Sequence, residues 1–132
     1  MSVSFQGVGQ VCATFLGEGL SAGQAVKMSS RGTVGPCGDG DKFCGVTAHC
    51  GDGACSVLVG GFVTVKYSGA VPGVGWAELC ADGGGGVRSQ GEQDSGGVRC
   101  LVVDADTAEK SVQVLLEGRR AARAYMDDNL KL

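Results

Sequence analysis

An all-β fold, a small glycine-rich β-barrel or sandwich with an internal pseudo-repeat, is predicted by three features of the chain. Glycine supplies 25 of the 132 residues without any Gly-X-Y period, against a usual share of about 7%, so tight turns are frequent and a collagen-like rod is excluded. Valine supplies 18 residues and isoleucine none, while Trp76, Tyr67, Tyr125 and four Phe are the only large rings. A core of β-branched side chains packs best on sheets. Eight or more short apolar runs alternate with Gly-, Pro- and Asp-rich turns. Long helices are excluded from the body by the same glycines, each costing roughly 1 kcal/mol in a helix relative to Ala.

Residues 1–7 read as an N-terminal arm, residues 8–116 as one barrel domain and residues 117–132 as a tail. The domain opens with a strand over 8–16. A turn at 20–24 leads to a strand from Ala25, and Ser30-Arg-Gly-Thr33 turns it back at Val34. A loop over 35–41 holds Pro36 and precedes a strand over 42–48, which Cys50-Gly-Asp-Gly53 breaks. Residues 55–59 and 62–67 flank Gly60-Gly61 and read as a hairpin with a primed two-residue turn, because two glycines permit positive φ. Phe62, Thr64 and Lys66 alternate there with Val63, Val65 and Tyr67, giving one apolar and one mixed face.

The second half partly repeats the first. Ala70-Val-Pro-Gly73 leads to a strand over 76–80, a glycine turn and Val87, as Leu20-Ser-Ala-Gly23 leads to Val26, Arg31-Gly32 and Val34. A longer, looser loop over 89–97 precedes strands over 98–104 and 111–116. The tail holds helix formers, and a helix of this length is stable only when docked.

Net charge is −3, from 11 basic and 14 acidic residues, which gives no basic footprint for nucleic acid or an anionic membrane. Arg119, Arg120, Arg123 and Lys131 make the tail mildly basic beside an acidic body. No apolar run approaches the roughly 20 residues that span a bilayer, and the first residues lack a signal-peptide pattern. Synthesis in the cytoplasm is the expectation.

Seven cysteines, an odd number, with no export signal point to reduced thiols rather than a disulfide framework. Cys12, Cys44, Cys80 and Cys100 occupy strand positions where Cys acts as a small hydrophobe. Cys44, His49, Cys50 and Cys55, with Cys37 upstream, fit zinc only loosely, because no C-x-x-C pair is present; no metal or other cofactor is expected. His49 is the single histidine, and nothing in the sequence brings it an orienting partner for nucleophilic catalysis. Asp39/Asp41, Asp104/Asp106 and Asp127/Asp128 read as turn acids that cap the backbone. Ala81-Asp-Gly-Gly-Gly-Gly-Val87 lacks phosphate-loop spacing and reads as a hairpin turn. Ala25-Val-Lys-Met28 has the Lys-Met of biotinyl and lipoyl carriers without the preceding acidic-Met pair or a hairpin tip. No enzymatic activity follows from these motifs.

The order of an extended arm (2–6), Leu20-Ser-Ala-Gly-Gln-Ala-Val26, Gly40-Asp-Lys-Phe-Cys-Gly-Val46, Gly60-Gly-Phe-Val-Thr-Val65, Gly69-Ala-Val-Pro-Gly73, Leu79-Cys-Ala-Asp-Gly83 and the run over 98–103 resembles the capsid decoration, or cement, proteins of tailed bacteriophages. The likeness covers about residues 5–116, and the cysteines and the tail depart from it. It implies a β-barrel or β-clip-like fold, a homotrimer on the outside of the virion head, and the major capsid protein as partner. Under that resemblance Val3, Phe5 and Val8 anchor the arm by adding a strand to the shell. Alternatives are a zinc protein built on the Cys/His cluster, and a carbohydrate- or peptide-binding domain using Trp76, Tyr67 and Phe62.

Overall fold

A computed structural model of the protein describes residues 10–92, 94 and 96–116, so Val3, Phe5 and Val8 of the arm and the expected helix of the tail lie outside the described residues. The strands are β1 (Val11–Leu16), β2 (Ala25–Ser30), β3 (Thr33–Pro36), β4 (Gly45–Gly51), β5 (Ala54–Lys66), β6 (Gly75–Ala81), β7 (Val87–Ser89), β8 (Val98–Asp106) and β9 (Ser111–Leu116). No helix occurs among the described residues, and the all-β barrel expected from the composition is the fold that forms.

Two five-stranded units share β5. In the first, the order β1-β3-β2-β4-β5 closes because β1 also pairs antiparallel with residues 54–60 of β5. In the second, residues 61–66 of β5 pair with β9, and the order continues through β8, β6 and β7. Tyr67 then bridges Val87 in parallel, as Leu16 pairs in parallel with Thr33 in the first unit. Strand for strand the units correspond, and so do their turns. Gly19 and Gly69 follow the first strand of each unit with φ of 70° and 75°, and Asp52 and Lys110, in the turns before the last strands, both have φ of 53°. The amide of Gly17 donates to the Gly53 carbonyl at 3.0 Å, and that of Tyr67 to the Lys110 carbonyl at 3.0 Å. The pseudo-repeat read from the glycine spacing is therefore a repeat of architecture.

The expected hairpin at Gly60-Gly61 is not formed. Strand β5 runs unbroken through both glycines, because residues 54–58 are already paired on both sides, with β1 and β4, Gly60 pairs with Val11 of β1, and residues 61–66 pair with β9. Folding 55–59 onto 62–67 would remove the strand common to both units. Gly61, at φ of 87°, uses its conformational freedom to carry β5 from one unit to the other. The alternation of Val63, Val65 and Tyr67 inward against Thr64 and Lys66 outward is as the sequence indicates. The strand expected at 42–48 starts three residues later, at Gly45.

The smaller core, inside the first unit, holds Val26, Val34, Cys55 and Val57 with Phe15 and Leu20 against them. The larger core fills the second unit with residues such as Leu79, Val102, Val112 and Val114, and also takes Ala25, Phe43 and Val46 from the first. Loops fasten the units at the backbone: Gly40 N–H to Ala81 O at 2.8 Å, Ala81 N–H to Asp41 O at 2.9 Å, and Ala25 N–H to Gly85 O at 2.8 Å. At one packed crossing a side chain cannot be accommodated, since a Cβ on Gly45 would lie 2.5 Å from the Leu58 carbonyl oxygen and 2.7 Å from Val57 Cγ1.

Gly45→Ala is expected to lower unfolding stability by about 2–3 kcal/mol in urea titrations, whereas Gly73→Ala, with open space around it, should stay within about 0.5 kcal/mol of the parent. Equal effects would show that the β4–β5 approach is not tight.

Candidate interaction surface

Strand β1 presents two things to solvent. Ala13 and Phe15 turn toward the interior while Cys12, Thr14 and Leu16 face outward, and Val11 and Leu16 are 56% and 62% exposed. One edge of β1 is paired along its length with β5; on the other, among the described residues, only Leu16 has a partner strand, at Thr33. The backbone edge over 11–15 is thus open, and an open edge with apolar side chains is a template for another strand. The arm joins β1 at Gln10, whose Nε2 donates to the Phe62 carbonyl at 2.8 Å.

Beside this junction a cleft of about 560 Å³ lies where the units meet along β5. Leu58, Phe62 and Thr64 of β5, Ser111 and Gln113 of β9, Asp104 and Asp106 of β8, and Thr47 and Ala48 of β4 line it. The two acids cap backbone amides as expected: Asp104 accepts from Ala105 N–H at 2.9 Å, and Asp106 from Ala108 and Glu109 N–H at 3.0 and 3.1 Å. They do so from within β8 rather than from a turn.

A second apolar exposure follows β5, at Val71, Val74 and Trp76. The Arg99 guanidinium, on the neighbouring β8, sits 5.2 Å from the Trp76 ring centroid. Tyr67 is 5% exposed and belongs to the larger core, so Trp76, Tyr67 and Phe62 do not make one exposed aromatic platform.

The cysteines divide by environment. Cys50 and Cys55 face each other across β4 and β5 and form a disulfide, contrary to the expected reduced state of all seven; direct cross-strand opposition brings the two thiols together. With those two joined and His49 exposed, Cys44, His49, Cys50 and Cys55 do not gather as a ligand set, and no metal-holding group of three or more such side chains occurs among the described residues. Cys80 and Cys100 are buried strand residues as expected, Cys44 is half-buried just before β4, and Cys12 is exposed because it lies on the outward face of β1. Burial pushes the Cys37 thiol up to about 11 and the Cys100 thiol up to about 12, and raises that of Cys80, so these three stay protonated and unreactive at neutral pH.

The strongest polar cluster escaped the sequence reading. Arg88 on β7 binds both Asp94 oxygens at 2.8 Å and donates through Nε to Asp39 at 2.8 Å, while Gly91 N–H reaches Asp94 at 2.6 Å. The guanidinium first, then that amide, hold the Asp94 carboxyl well below the usual carboxylate range. The loop expected to be loose is therefore tied to β7 and to the 35–41 loop. Lys27 lies within β2, not at a hairpin tip, and is bound to Asp41 at 2.6 Å. Asp82 accepts the amides of Gly84 and Gly86 at 2.7 and 3.0 Å, so the glycine run folds on itself as the expected β6–β7 hairpin.

Comparison with known proteins found no family model that matches the chain and no curated protein of similar sequence.

Two measurements follow. A depressed folded-state pKa means that the unfolded chain takes up the Asp94 proton first; the stabilisation is whole above the unfolded value of about 3.9 and fades as pH falls below it. The stability difference between parent and Asp94→Asn should be widest above pH 5 and shrink from pH 4 to pH 2; a constant difference would show that charge plays no part. In native protein a thiol reagent should label Cys12 rapidly and Cys80 and Cys100 only on unfolding, as read by peptide mass spectrometry.

Proposed function

We propose that the protein is a non-enzymatic decoration, or cement, protein of a tailed phage or prophage, made in the bacterial cytoplasm. It acts as a homotrimer on the outer surface of the virion head, where it binds the major capsid protein and ties neighbouring capsomers together. The observation that carries this reading is the open, apolar edge of β1, which continues directly from the arm bearing Val3, Phe5 and Val8. A strand whose backbone donors and acceptors point to solvent gains affinity from main-chain pairing and selectivity from alternate side chains. The resemblance in motif order supports it, and so does the small barrel which that resemblance implies. A trimer presents three such arms, so a weak single contact becomes firm attachment through avidity.

The test is cosedimentation with expanded, undecorated heads. Full-length protein should bind as a trimer by light scattering, Phe5→Asp should weaken binding at least tenfold, and removal of residues 2–8 should abolish it while the barrel still folds by circular dichroism. Equal binding with and without the arm would overturn the assignment of the arm, and failure of the full chain to bind heads would overturn the function.

A further inference from the structure

The cleft between the units has walls of three kinds. Leu58 contributes apolar surface, and Thr64, Gln113 and Gln10 bring side chains able to donate and accept hydrogen bonds. The third wall is acidic: Asp104 and Asp106 line the cleft, whereas no Arg, Lys or His does so among the described residues. Both carboxylates spend Oδ1 on backbone amides, and for Oδ2 of either no ion pair forms among the described residues. Asp104 and Asp106 pair with Gln113 and Ser111 in unbroken register, so they stand on the same face of β8, two residues apart. Alternate residues of a strand repeat every 6.6 Å or about that, which is also the repeat of any extended chain laid beside it.

From this we infer that the cleft is a docking site for an extended segment of a partner protein that carries basic side chains at alternate positions. Its volume, about 560 Å³, lies within the range of sites that enclose a ligand rather than a single ion. Each guanidinium would meet one carboxylate, and the fixed register of β8 would set the spacing. Charge complementarity chooses a cationic segment over a neutral or acidic one. The cleft adjoins the start of β1 at Gln10 but takes in none of residues 11–16, and a free peptide tests it without heads.

The probe is the blocked pentapeptide Ac-Thr-Arg-Val-Arg-Thr-amide, titrated into the full chain and followed by amide chemical shifts. Shifts should concentrate at Thr64, Ser111 and Gln113, and the combined Asp104→Asn and Asp106→Asn variant should weaken binding at least tenfold. Asn keeps the Oδ1 acceptor, so the backbone caps survive and an unchanged spectrum elsewhere confirms the fold. The Glu counterpart, Ac-Thr-Glu-Val-Glu-Thr-amide, should leave the spectrum unmoved. No shift at millimolar peptide, shifts spread over the surface, or binding indifferent to the two substitutions would each overturn the proposal. Binding that emerges only after Arg119, Arg120 and Arg123 are replaced by Ser would assign the cleft to the chain's own basic end and overturn the partner reading.

Discussion

Strand β5 has to serve two sheets at once, and the rest of the architecture follows from that constraint. Its first half completes the ladder of β1 and β4, its second half the ladder of β9, and a change of direction is required between them. A residue with a Cβ resists φ of 87°, so Gly61 makes the passage, and Gly60 beside it lets Val11 approach. Because the strand is shared, neither unit is a free-standing domain. The smaller core of Val26, Val34, Cys55 and Val57 is too slight to hold a fold alone, and Ala25, Phe43 and Val46 complete the larger one instead.

Around that spine the polar contacts are placed where the backbone ladder stops. Arg88 gathers Asp39 from the first unit and Asp94 from the loop of the second; Lys27 and Asp41 fasten the same corner. Surface ion pairs taken singly are worth little, but a bidentate guanidinium shared by two carboxylates also fixes the geometry of two loops. The result is a body tied together by short connections, whose large apolar exposures among the described residues lie on β1, at Met28 of β2 and in the segment from Val71 to Trp76.

Local chemistry made most of the fold legible in the sequence. Arg31-Gly32 marks the β2–β3 turn, Cys50-Gly-Asp-Gly53 the β4–β5 turn and the glycine run the β6–β7 turn, each by a rule that acts over a few residues. Gly60-Gly61 misled because positive φ serves a hairpin and a strand crossing equally, and only pairing with β1 and β9, distant in sequence, decides between them. The same distance hid the candidate surface. Asp104 and Asp106 look like turn acids until Gln113 and Ser111 are paired opposite them and Leu58 joins the same cleft, and Arg88 meets Asp39 across 49 positions. Cys50 and Cys55 were visible as neighbours of a turn, but their direct opposition depends on the register of β4 against β5.

Each unit is closed between its first and third strands by a single parallel contact, Leu16 with Thr33 and Tyr67 with Val87, while every other neighbouring pair of strands has at least two paired positions. The units are in that sense sheets curled until their margins touch, with a seam in place of a final ladder. Opening such a seam would break fewer backbone pairings than parting any other neighbouring strands. In the first unit the seam lies along the open edge of β1, so a strand arriving there would meet a margin that yields and can re-form around it.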